Sequence, residues 1–154
     1  MSKTVHLIVV GKLKDKNLEE IENSYFKRIN NPDLKIHEVK ARAENKDAEG
    51  SEVLKKIKDI CKDTPPYLVA LCEFGKERES VDFSKWLFDK IENQHRNIIF
   101  LIAGAEGHSD EIMEQVSDKF SLSKLTFPHK IARILFIEQL YRAITIKNNH
   151  PYHN

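Results

Sequence analysis

Residues able to carry chemistry gather toward the end of this sequence. The final stretch Asn148-Asn149-His150-Pro151-Tyr152-His153-Asn154 sets a phenol between two imidazoles, and Pro151 stiffens the approach. Such groups suit proton transfer, hydrogen bonding and stacking on a base. His150-x-x-His153 has the outline of a metal pair, but no carboxylate or thiol neighbours it, so metal ligation is disfavoured. Upstream, Glu138 and Arg142 stand four apart in an apolar helical segment, where an ion pair would be desolvated and suited to a functional role. Ala103-Gly104-Ala105-Glu106-Gly107 follows a fully apolar run, and its glycines permit close backbone approach to a ligand. As a nucleotide fingerprint it is weak, because it lacks the Gly-x-Gly-x-x-Gly spacing.

Charge is distributed unevenly around these groups. The 154 residues carry 25 Lys and Arg against 24 Asp and Glu, a net +1 that at first argues against a nucleic-acid binder. From Lys119 onward there are six basic residues (Lys119, Lys124, Lys130, Arg133, Arg142 and Lys147) against Glu138 alone, so the last 36 residues hold +5 and the rest −4. A basic end on an acidic body is a footprint for phosphate. Within it Lys124, Lys130 and Arg133 are candidates to bind a phosphate backbone. Cys61 and Cys72 lie in apolar runs and read as buried free thiols of a reducing cytoplasm. No apolar stretch approaches the roughly 20 residues that span a bilayer, so neither membrane insertion nor secretion is expected.

Short apolar runs alternate with amphipathic segments, which predicts an α/β fold with a mostly parallel sheet and helices on both faces, in one domain over residues 1–154. Strands are expected at Val5 to Val10, around Leu34 to Val39, and at Tyr67 to Cys72, Ile98 to Ala103 and Leu122 to Leu125. Helices are expected around Leu18 to Ile29, after a charged loop over Ala41 to Ser51, at Phe83 to Ile91, from a Ser109 cap to about Phe120, and from Pro128 to about Lys147. Ile134-Leu135-Phe136-Ile137 covers every side of the last helix, so a second apolar surface, a homodimer partner, is expected to cover part of it. In such sheets ligands bind at the carboxyl ends of strands, which marks the loops after Cys72, Ala103 and Leu125. Read from the residues alone, the glycine loop leaves a nucleotide-binding α/β module open, and the basic end a non-catalytic binding protein, as alternatives to an enzyme.

Three separated blocks carry a specific likeness: Ser121-Leu122-Ser123-Lys124-Leu125-Thr126-Phe127-Pro128-His129, Glu138-Gln139-Leu140-Tyr141-Arg142-Ala143 and His150-Pro151-Tyr152-His153. With the opening Gly11-Lys12-Leu13-Lys14, they make the whole chain resemble the RlmH family of the SPOUT superfamily. These are small methyltransferases that use S-adenosylmethionine to methylate N3 of a pseudouridine in 23S rRNA. The resemblance implies a deep C-terminal trefoil knot, a homodimer acting on the ribosome, and no metal. It implies a donor pocket formed by Leu71, by Ala103 and Gly104, and by Leu122, Ser123, Lys124, Leu125, Thr126 and Phe127, with Leu122, Leu125 and Phe127 flanking the adenine. It implies catalytic candidates His129, Glu138, Arg142, His150, Tyr152 and His153. Two departures stand out: the family usually has Gly-Gly at Ala103-Gly104, and commonly a basic residue where this chain has Asn154.

Overall fold

Residues 3–154 are described in a computed structural model. Five parallel strands lie in the order β2 (Asp33–Val39), β1 (Thr4–Val10), β4 (Ile98–Ile102), β3 (Tyr67–Glu77) and β5 (Asp118–Ser121). Alternation along the strands sends Val5, Leu7 and Val9 of β1 and Phe100 of β4 to one face, and Ile8, Val10, Ile99 and Leu101 to the other. On the first face α3 (Ser80–Asn93) and α5 (His129–Lys147) pack around Phe83, Phe100, Phe120 and Phe136, with Phe83 and Phe120 edge-on at 4.7 Å. The second face is covered by α2 (Lys46–Cys61) and α4 (Asp110–Gln115) through Val53, Ile57, Cys61 and Ile112. The α/β architecture with helices on both faces is as the periodicity predicts.

Five elements differ in their bounds from expectation. Helix α2 begins at Lys46 with Asn45 as its cap, so half of the expected 41–51 loop is helical. Gly50 lies within it because a side chain there would collide with Ser109, where α2 crosses the start of α4. Strand β3 runs on through the expected Glu73 to Glu77 loop by means of a bulge, which lets Lys76 and Glu77 pair with Phe120 and Ser121. Ser109 does cap α4, its Oγ accepting from Ile112 N at 3.2 Å, but the helix ends at Gln115 instead of near Phe120. The fifth strand accordingly lies at Asp118–Ser121, and Leu122 to Leu125 is a loop. Helix α1 (Lys16–Phe26), capped by Asp15, ends before Ile29 and buries no residue completely.

A second polar feature sits in the sheet itself. His6 on β1 and His37 on β2 stack with ring nitrogens 3.0 Å apart under α2. Burial, with the neighbouring His37 and Lys35, pushes the His6 pKa down to about 4, and burial with Lys56 and Lys35 lowers His37. Because the unfolded chain then binds more protons than the folded one, stability is complete above about pH 6.5 and falls as pH drops toward 4. Urea titrations are expected to show a loss of roughly 2–3 kcal/mol attributable to His6 over that window, and His6→Leu is expected to flatten the slope.

Candidate methyl-donor pocket and C-terminal cluster

The bulged stretch of β3, the carboxyl end of β4 and the run after β5 line an open cavity of about 710 Å³. Leu71 and Cys72, Ile102 to His108, and Leu122 to His129 without Lys124 form most of its wall. All the residues assigned to the donor by resemblance therefore converge except Lys124, which is solvent-exposed and outside the lining. Cys72, expected to be buried, is half-buried and faces this cavity, while Cys61 is buried in the core. The wall is mainly apolar, the composition usual for a small-molecule pocket of 300–1,000 Å³.

Local forces hold these loops in place. At Gly104 a methyl group would lie 3.1 Å from Glu49 Oε1 and 3.3 Å from Val10 Cγ1, so the loop passes tightly over the start of α2. Glu49 is itself buried and accepts from Arg42 N at 2.9 Å. Ala103, where the family usually has glycine, is half-buried in the cavity wall. Ser121 Oγ donates to Ser123 O at 2.8 Å, Ser123 Oγ accepts from Leu125 N at 3.0 Å, and Thr126 Oγ1 donates to Glu73 Oε1 at 2.9 Å. His108 bonds Leu71 O through Nε2 at 2.9 Å, tying the β4 loop to β3 where its bulge begins; burial lowers its pKa, and the bond to the carbonyl partly opposes this. Neither Glu49 nor His108 is evident from sequence, because each depends on a loop meeting a distant strand; for His108 the only cue is its place just after Gly107.

The catalytic candidates divide into two groups. His129, first residue of α5, lines the cavity. Glu138 lies nine residues further along the same helix, a rise of about 14 Å. There the tail folds back onto its own subunit. Arg142 donates to Glu138 Oε1 through Nε at 2.9 Å and Nη2 at 2.7 Å, with side-chain exposures of 25% and 13%, so the pair is largely desolvated, as the apolar spacing implied. Tyr152 donates its hydroxyl to the same oxygen at 3.1 Å, Gln139 donates to Glu138 Oε2 at 3.0 Å, and Arg142 Nη1 donates to His153 Nδ1 at 2.9 Å. His150 is exposed and only accepts from Tyr152 N at 3.1 Å.

These contacts decide the protonation states. Bonding to Glu138 raises the Arg142 pKa, keeping the guanidinium cationic. Burial, and with it the negative charge and hydrogen bond of Glu138, pushes the Tyr152 phenol well above its usual range, so it is a donor at neutral pH. With Nδ1 accepting, a neutral His153 carries its proton on Nε2. The cluster offers donors and positive charge.

Arg133 corrects an expectation. It is buried rather than free for RNA: Nε and Nη2 grip Glu22 at 2.6 and 2.9 Å and Nη1 meets Glu38 at 2.8 Å. Burial opposes its charge, but the two carboxylates outweigh that and raise its pKa. Arg133→Met leaves Glu22 and Glu38 without a cation and is expected to cost about 2–3 kcal/mol in urea unfolding, a discounted figure because Glu38 is a third exposed. Lys124 and Lys130 remain on the surface side of the basic end.

The comparisons with known proteins agree with this geometry. Residues 3–153 match the family described as "Predicted SPOUT methyltransferase". A protein of Parabacteroides distasonis named ribosomal RNA large subunit methyltransferase H is 37% identical, over 97% of this chain and 98% of the relative. One of the same name from Acholeplasma laidlawii is 38% identical, over 97% and 98% of the two chains. Among solved structures, a probable methylase family protein from Haemophilus influenzae Rd KW20 superposes with a TM-score of 0.55 at 11% identity, over 94% of this chain and 66% of that one, a likeness of fold. The sequence match over nearly its whole length, reinforced by the loops that converge on one cavity, places the chain in the SPOUT methyltransferase family.

Proposed function

We propose that this chain transfers a methyl group from S-adenosylmethionine to N3 of a pseudouridine in 23S rRNA, within the large ribosomal subunit or the assembled ribosome of the cytoplasm. The observation that carries the reading is the cavity of about 710 Å³ where β3, β4 and the run after β5 meet, large and apolar enough for a folded nucleoside. S-adenosylmethionine, when bound, supplies an electrophilic methyl group on a sulfonium. Leu122, Leu125 and Phe127 flank its adenine, and the backbone near Leu71, Ala103 and Gly104 holds its polar ends. The same reading includes a trefoil knot through the C-terminal half of this single domain.

N3 of pseudouridine is a weakly acidic imide, so the chain must hold it in line, take its proton and stabilise the developing negative charge on the ring carbonyls. His129 on the cavity wall is placed to accept that proton. His153 Nε2–H and Arg142, on the tail cluster, supply the donors, with Tyr152 and Glu138 fixing their geometry. Since one chain sets these groups about 14 Å apart along α5, the reading is a homodimer in which one subunit's tail completes the other's pocket. Exposed Phe74 and Leu125 beside the cavity, at 89% and 70%, and Ile131 and Leu135 on α5 give such a partner an apolar seat.

The test is transfer of labelled methyl groups to intact ribosomes, large subunits and free 23S rRNA, with mass analysis of the pseudouridines. Label on a pseudouridine N3 in ribosomal particles is the expected result. Donor binding without transfer to any substrate would instead indicate a ribosome-binding protein, and preference for a dinucleotide in calorimetry a nucleotide-binding module.

A further inference from the structure

Helix α1 has an unusual relation to the rest of the molecule. It buries no side chain fully, and it meets α5 through an ion pair and through stacked aromatic rings. Glu22 takes Arg133, and one turn later Tyr25 reaches the tail. The Tyr25 and Tyr152 hydroxyls lie 3.4 Å apart; since Tyr152 gives its proton to Glu138, Tyr25 is the donor between them. The Tyr25 ring tilts against Tyr141 at 5.8 Å, and Tyr141 meets Tyr152 edge-on at 4.8 Å. Arg28 lies over both Tyr25 and Tyr141, 5.1 and 4.5 Å from the ring centres, and its Nη1 donates to Tyr141 Oη at 3.4 Å. Three phenols and a guanidinium thus form a stack that ends on Tyr152, beside the Arg142 that bonds His153.

We propose that Tyr25, backed by Arg28, is a positioning residue that clamps the C-terminal tail through Tyr152 and so fixes where His153 and Arg142 present their donors. Chain ends fray unless tied down, and here the tie comes from a helix more than a hundred residues away in sequence. Tyr25 does not line the cavity, and its side-chain hydrogen bond to the tail is the one to Tyr152. The inference rests on the function proposed above for its kinetic consequence, but the clamp itself is a property of the fold.

Tyr25→Phe removes one hydroxyl and keeps the ring, so the fold is expected to survive, as a thermal melt will verify. On ribosomes kcat is expected to fall about tenfold, with donor affinity by calorimetry within about twofold, since only the placement of tail groups is lost. Tyr152→Phe is expected to give the same loss, and the double variant no more than the larger single loss. Carboxypeptidase is expected to trim the tail of Tyr25→Phe several times faster than that of the parent. Unchanged or increased kcat in Tyr25→Phe, additive losses, or equal trimming would overturn the clamp. A parent protein that methylates nothing yet shows the trimming difference would refute the proposed function and leave the clamp standing.

Discussion

Removing His150 to Asn154 is expected to abolish methylation, with kcat lowered by at least about a thousandfold, while donor binding by calorimetry stays within about threefold. The separation of the two effects follows from the geometry. No residue of the tail lines the cavity, so the donor's contacts survive the truncation. What is lost is His153, held by Arg142, and Tyr152, held by Glu138 and Tyr25. Truncation also exposes Glu138 and Arg142 to water, weakening their pair and the field it maintains. Tyr152→Ala is expected to approach the same loss, because it removes the ring that packs on Tyr141 and lies beneath Arg142. Full turnover by the truncated protein would end the case for a catalytic tail.

The second large effect is expected at Gly75. A Cβ there would lie 2.5 Å from Phe120 C and 2.6 Å from Phe120 N, both backbone atoms that have no rotamer by which to move. Gly75→Ala must therefore push β5 off β3. Overpacking against backbone is expected to cost about 3 kcal/mol or more, lowering the melting temperature by roughly 6–12 °C. Because β5 launches the Leu122 to Phe127 wall, donor affinity is expected to fall as well. Gly104→Ala provides the contrast: its new methyl meets the Glu49 carboxylate and Val10 Cγ1, side-chain atoms with some room to shift, so a smaller effect is expected. Equal melting temperatures for Gly75→Ala and the parent would contradict the close approach.

These two sites also show how far the sequence was legible. The strands of the interior are plain, because Val5 to Val10 and Ile98 to Ile102 are buried on both faces and read as apolar runs interrupted by His6 alone. Strand β5 is not, since Asp118–Ser121 places only Phe120 in the core, whereas the more apolar Leu122 and Leu125 are reserved for the cavity. Apolar residues on a cavity wall look like core to any reading of periodicity. The β3 extension was hidden similarly: Glu73 to Glu77 has the composition of a loop and becomes strand only because Gly75 admits another backbone. Among the site residues, the resemblance brought the cavity wall together apart from Lys124, while the roles of the tail groups rest on the proposal. Arg133 was misread because a guanidinium's partners, Glu22 and Glu38, lie 111 and 95 residues away and no local pattern announces them.

Helix α5 starts with a residue of the cavity wall and carries Glu138 and Arg142 in its second half. It is thus a rigid gauge, and its graduations are residues. Inserting one alanine between His129 and Glu138 would rotate everything beyond it by about 100° and lengthen the gauge by about 1.5 Å, whereas four would nearly restore the bearing at about 6 Å greater length. Relatives with an altered α5 can therefore keep both ends in register only by steps of whole turns, and the span between pocket and tail is quantised by the helical repeat.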